Sequence, residues 1–134
     1  MHAVTPVAFR LTRGADLKLS IFNAVKHHKL PAGCVASVVG CLSHLVIRTA
    51  DGKSTLNIHD DVEIVSVSGT LTPDHVHLHI AVANKQGDMI GGHLMEGSIV
   101  SHTAEVCLLS FPQMAFTREF DEETGYTELV VSEK

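Results

Sequence analysis

Residues 75–93, His75-Val76-His77-Leu78-His79-Ile80-Ala81-Val82-Ala83-Asn84-Lys85-Gln86-Gly87-Asp88-Met89-Ile90-Gly91-Gly92-His93, carry the strongest pattern in this chain. Through Ala83 apolar positions alternate with others, as in a strand with one buried face. Val76, Leu78, Ile80 and Val82 fall on one face, while His75, His77, His79 and Ala81 fall on the other. Histidines at i and i+2 of a strand stand about 7 Å apart, close enough to converge on one ion. Asn84 to Asp88 is a polar, glycine-containing turn, and Met89 to His93 is the antiparallel return. That return delivers His93 beside the His77/His79 face, and Gly91 and Gly92 let the backbones approach closely. Such a histidine triad with a further position open is the ligand set of a solvent-open or catalytic zinc site. Glu63, Glu96 and Glu105 are the carboxylates that strand pairing can bring to the outer N–H of a ligating ring.

The neighbouring segments read as further strands. Val62 to Leu71 precedes the histidine strand across the turn Thr72-Pro73-Asp74. Val62, Ile64 and, after a run of small residues, Leu71 are core candidates, with Glu63 on the opposite face from Ile64 alongside Val65 and Val67. Ser98 to Leu109 follows, with Ile99, Ser101, Thr103, Glu105 and Cys107 on one face and Val100, His102, Ala104, Val106 and Leu108 on the other. Glu63 and Glu105 are thus carboxylates inside largely apolar strands, which makes them candidate general bases beside a metal.

Toward the N-terminus, Val4 to Thr12 reads as an edge strand containing Pro6. Asp16 is a suitable N-cap for a helix over 16–29, because Leu17, Ile21, Ala24 and Val25 recur on one face. Cys34 to Gly40 and Leu45 to Arg48 read as two short strands. The Asp51-Gly52 turn then leads into a return over Thr55 to His59. Ala115 to Phe120 and Tyr126 to Val131 close the chain around a charged turn. The expectation is an α+β fold: an antiparallel sheet of about eight strands with one main helix, a single domain over residues 1–134. Strands with Val and Ile on both faces point to a further buried surface, and so to an oligomer.

Composition narrows the function. The chain has 134 residues, 45% hydrophobic and 19% charged, with no Trp, one Tyr and five Phe, so its core must be aliphatic. A net charge of -5 with no basic run argues against a nucleic-acid surface made by the chain as a whole. Cys34, Cys41 and Cys107 are odd in number and match no CxxC site, so they read as small buried hydrophobes in a reducing compartment. The sequence shows neither a secretory signal nor the roughly 20-residue apolar stretch of a membrane span, which implies a cytoplasmic protein.

Four blocks together resemble one family: RLTRGADL at 10–17, EIVSVSGTL at 63–71, HVHLHIAVANKQGDMIGGHLMEGSIV at 75–100 and TAEV at 103–106. They resemble the PPC (plants and prokaryotes conserved) domain, in its standalone prokaryotic form, over roughly residues 6–111. The resemblance implies an α+β homotrimer, within a broader fold group that includes the zinc enzyme acetolactate decarboxylase. It implies His77, His79 and His93 as metal-ligand positions, matching the strand-face reading. In plants the domain follows an AT-hook, which binds the minor groove, and these residues contain none. The family's Gly-Arg-Phe-Glu-Ile-type partner segment is here Asp60-Asp61-Val62-Glu63-Ile64, with acid in place of Gly-Arg.

Two functions follow. One is a homotrimeric protein binding a divalent metal, with a DNA-binding or regulatory role implied by the resemblance. The other is a metal-dependent enzyme of lyase or hydrolase type acting on a small molecule, with Glu63 or Glu105 as base. A purely structural trimer with vestigial histidines is the remaining expectation. A histidine-only ligand set suits Zn, Cu, Fe or Ni, with Zn the default.

Overall fold

In the computed structural model, which describes residues 2–134, the alternating histidine segment forms β5 (His75–Ala83), with Val76, Leu78, Ile80 and Val82 buried. It lies antiparallel between β4 (Val62–Thr72) and β6 (Met89–Leu94). Before these come β1 (Thr5–Thr12), α1 (Leu17–His27), β2 (Gly33–Arg48) and β3 (Thr55–Ile58); after them come β7 (Ile99–Ser110), β8 (Met114–Asp121) and β9 (Tyr126–Glu133). The main sheet has the order β1-β7-β2-β4-β5-β6, with β3 on the end of β2, while β8 and β9 make a separate hairpin. Every pairing is antiparallel, so the α+β expectation stands.

The sheet also closes on itself. At its far end β2 pairs with β6, bringing Ile47 opposite Leu94 and Arg48 opposite His93. A strand can serve this many neighbours only if it is long and bent. The segments read from sequence as two short strands, Cys34–Gly40 and Leu45–Arg48, are one strand of 16 residues. Its register against β7 shifts between Val35 and Ser37, between Gly40 and Leu42, and between Leu42 and His44. Such irregularities bend a strand and sharpen its twist. Gly40 sits at one of them because a Cβ there would run into the Thr103 carbonyl.

A similar shift in β4, between Ile64 and Ser66, corrects the simple alternation. Val67 does not share a face with Glu63. The irregularity returns it to the core, where it is 5% exposed, and leaves Val65 outside at 50%. Leu71 reaches the core by the same step.

Helix α1 covers the other side of that core. Asp16 caps it by accepting the Leu19 N–H, and its second carboxylate oxygen accepts from Gly97 N–H at 2.7 Å, tying the helix start to the loop before β7. Leu17, Ile21 and Val25 are fully buried, each contributing about 1.5–3 kcal/mol of transfer free energy. The helix ends at His27 rather than 29, with Lys29 in the left-handed region at φ 52°. Its burying face meets Val38, Leu42, Leu78, Ile80, Val100 and Val106 in one aliphatic cluster, as the scarcity of aromatic residues required.

Candidate metal centre

The closure of the sheet assembles the histidines. His77 and His79 project from the outer face of β5, and β6 places His93 directly opposite His79 in the ladder. Ring centroids are 5.1 Å apart for His77–His79, 5.4 Å for His77–His93 and 5.7 Å for His79–His93. One ring nitrogen from each lies within 4.8 Å of the other two. Tetrahedral zinc with nitrogens at about 2.1 Å spaces its donors about 3.4 Å apart. The three ring nitrogens lie within reach of that spacing, so the donor set fits a zinc-sized ion. The glycines are needed for this approach: a Cβ on Gly92 would sit 2.7 Å from the Arg48 carbonyl, and one on Gly91 would strike the Ile80 carbonyl.

The surroundings favour the neutral rings of His77 and His93, the form that can ligate a metal. Burial lowers the His77 pKa, with Arg118, His79 and His75 adding to the effect and Glu128 opposing it. His93 is pushed down to about 4 by burial, reinforced by Arg48, Lys18, His77 and His79. His75 is lowered by burial too, then by Arg118 and Lys18, against Asp74. Two hollows meet at these rings. One, of about 480 Å³, is bordered by Arg48, Gly52, His77, His79, Gly92 and His93. The second, of about 270 Å³, is bordered by Arg48, His75, His77, His93, Arg118 and Glu128.

Neither Glu63 nor Glu105 borders these hollows. Glu63 stands opposite Cys41 on β2, in a groove shared with Lys85 and His102, and Glu105 faces Arg10 of β1. Glu96 lies near the Lys18 ammonium, where its charge partly offsets the lowering of that group by burial and by Arg48. The carboxylate beside the histidines is Glu128, from β9.

Sequence reading missed Arg48, Arg118, Tyr126 and Glu128 as neighbours of the triad. Arg48 carried a usable signal, since it ends a strand that can pair with the one bearing His93. The β8–β9 residues carried none, because their hairpin reaches β5 only through tertiary packing.

The cysteines also need correction. Cys34 and Cys41 are half-buried and Cys107 is exposed. The Cys41 Sγ lies 3.5 Å from His102 Nδ1. Burial raises the Cys41 pKa, but hydrogen bonds from Ser101, the N–H groups of His102 and Thr103 and the His102 ring outweigh it, leaving the thiol at about 7.

A family model, the Plants and Prokaryotes Conserved (PCC) domain, matches residues 1–112. The chain is 42% identical over 120 residues to a bifunctional protein GlmU of Synechococcus, a match covering 90% of this chain and 19% of that much longer protein. A hypothetical protein from Salmonella superposes with a TM-score of 0.96 at 30% identity, covering 100% of this chain and 97% of the other. A protein of Archaeoglobus fulgidus described as metal-containing gives a TM-score of 0.83 at 26% identity, covering 97% and 96% of the two chains. With the match running through the histidine hairpin, the chain belongs to the plants and prokaryotes conserved (PCC) domain family.

Proposed function

We propose that this protein is a homotrimeric metal-binding module in which His77, His79 and His93 hold a divalent ion, zinc by default. The observation that carries the reading is the convergence of one nitrogen from each ring within 4.8 Å, on strands closed by Gly91 and Gly92. Similarity to the Archaeoglobus metal-containing protein supports it. Exposed Val39 and Val65, on the outside of neighbouring strands, support a subunit contact. The unpaired thiols fit a reducing, cytoplasmic setting, and the 134 residues act as a single domain.

A DNA-contacting, regulatory role is what the family resemblance adds. The net charge of -5 and the acid at Asp60-Asp61 weigh against direct phosphate contact by these residues, since affinity for DNA scales with the Lys and Arg engaged. One observation favours the second reading, a metal-dependent enzyme on a small molecule: the triad borders open hollows that also hold Arg48, Arg118 and Glu128. A bound metal with an open position supplies Lewis acidity or an activated water. The arginines then orient an anionic group, and Glu128 is the nearby group able to carry a proton.

Elemental analysis of untagged protein and of its His77→Ala/His93→Ala variant, each passed over a sizing column, tests the reading. Close to one zinc per chain in a trimeric wild type, lost in the variant, is expected. A wild type devoid of metal after expression in zinc-supplemented medium overturns it.

A further inference from the structure

We propose that Arg118 forms, beside the triad, a binding site for the carboxylate of a small molecule. This deepens the proposed function and rests on the histidine hollow being the working site. Arg118 comes from β8, remote in sequence from the histidines, and borders the same hollow as His75, His77, His93 and Arg48. Its Nη1 donates to the Thr127 carbonyl at 3.1 Å, which anchors one corner of the guanidinium. Nε and Nη2 are buried and have no hydrogen-bond partner among the described residues. A buried cationic donor left unpaired is costly, so such a group calls for a partner.

The unpaired atoms define the chemistry. A guanidinium presents its donors in a rigid planar fork that matches the two oxygens of a carboxylate. To fill the proposed site, this edge turns into the hollow that Arg118 borders, exchanging the Nη1–Thr127 bond for the ligand. Arg48 adds a second cation on the wall shared by both hollows, and Lys18 is near enough to depress the neighbouring histidines. Glu128 is the one carboxylate on that wall, and Nε and Nη2 make no bond to it. The surplus of positive charge favours an anion, and a hollow of about 270 Å³ suits a small one, with its carboxylate on Arg118 and its remainder toward the triad. Carboxylates on a neighbouring subunit share this chemistry, so the test separates the two sources.

Calorimetric titration with malonate, and with malonamide as its uncharged counterpart, is performed on zinc-loaded and on chelator-treated protein. Malonate is expected to bind and malonamide not. Arg118→Gln is expected to weaken malonate by at least about tenfold, the effect of losing a charge-assisted hydrogen bond. Arg118→Lys, which keeps the charge without the fork, is expected to fall between, and zinc content should be unchanged in both variants. A protein that takes up no zinc defeats the metal reading alone, because Arg118-dependent malonate binding is still expected after chelator treatment. Malonate bound no better than malonamide in both states overturns the inference. So does unchanged malonate affinity in Arg118→Gln, including the case where that variant elutes as a smaller species and the guanidinium is shown to be a subunit contact.

Discussion

His79 and His93 are direct partners across the β5–β6 ladder, with ring centroids 5.7 Å apart. Their spacing depends on a third strand, because β6 is held between β5 and the far end of β2, where Arg48 pairs with His93. The geometry of the candidate metal centre is therefore a property of sheet closure and not of the hairpin alone.

Gly92→Val tests that dependence. Its Cβ would come within 2.7 Å of the Arg48 carbonyl, so β6 must separate from β2. A loss of about 1–3 kcal/mol in urea unfolding is expected, accompanied by weaker zinc binding as His93 is displaced. Gln86→Ala, in the exposed turn of the same hairpin, should stay within about 0.5 kcal/mol of wild type and bind zinc normally. Equal zinc affinity in wild type and Gly92→Val would show that the closure does not position the site.

The acid response of the metal-free protein follows from His93. Its pKa in the fold is about 4 against an ordinary 6.5, burial being the largest cause. Below 6.5 the unfolded chain takes up a proton that the folded ring refuses, so this contribution to stability is complete above 6.5 and is lost as pH falls through about 4. The urea midpoint of chelator-treated protein should therefore decline over that window, and more steeply than that of His93→Gln. Parallel profiles for the two proteins would contradict this.

Cys41 should be the fastest thiol to react at neutral pH. Peptide mapping after timed iodoacetamide treatment is expected to show its alkylation rising through a midpoint near 7, against an ordinary value of 9.0. Burial opposes the shift, and the hydrogen bonds from Ser101 and from residues 102 and 103 produce it. Ser101→Ala and His102→Ala should each move the midpoint upward. A wild-type midpoint above about 8.5 would exclude a stabilised thiolate.

Much of this molecule is legible in local pattern. Leu17, Ile21 and Val25 announce the buried face of α1, and Asp16 its cap, because helix periodicity and capping involve only neighbours along the chain. Val76, Leu78, Ile80 and Val82 likewise assign the histidines to the outer face of β5. The places where alternation failed are those where strand register shifts. Val67 returned to the core past the irregularity after Ile64, and the apparent gap between Gly40 and Leu45 proved to be continuous, bent strand. An extra residue in a strand has no compositional signature, because the partner strand determines whether it is accommodated.

The local alternation of residues 75–83 and the Gly91-Gly92-His93 return were enough to assign the histidines to one face and to name the triad. They could do so because a strand's two-residue period and a glycine's lack of Cβ act over a few residues. Which carboxylate and which cations stand beside that triad depended on contacts between distant segments. Glu63 and Glu105 went to other parts of the sheet, while Arg48, Arg118 and Glu128 came to the histidines from the end of β2 and from the β8–β9 hairpin. Those placements follow from how the sheet curls and where the hairpin packs, and burial of the shared aliphatic core sets both together.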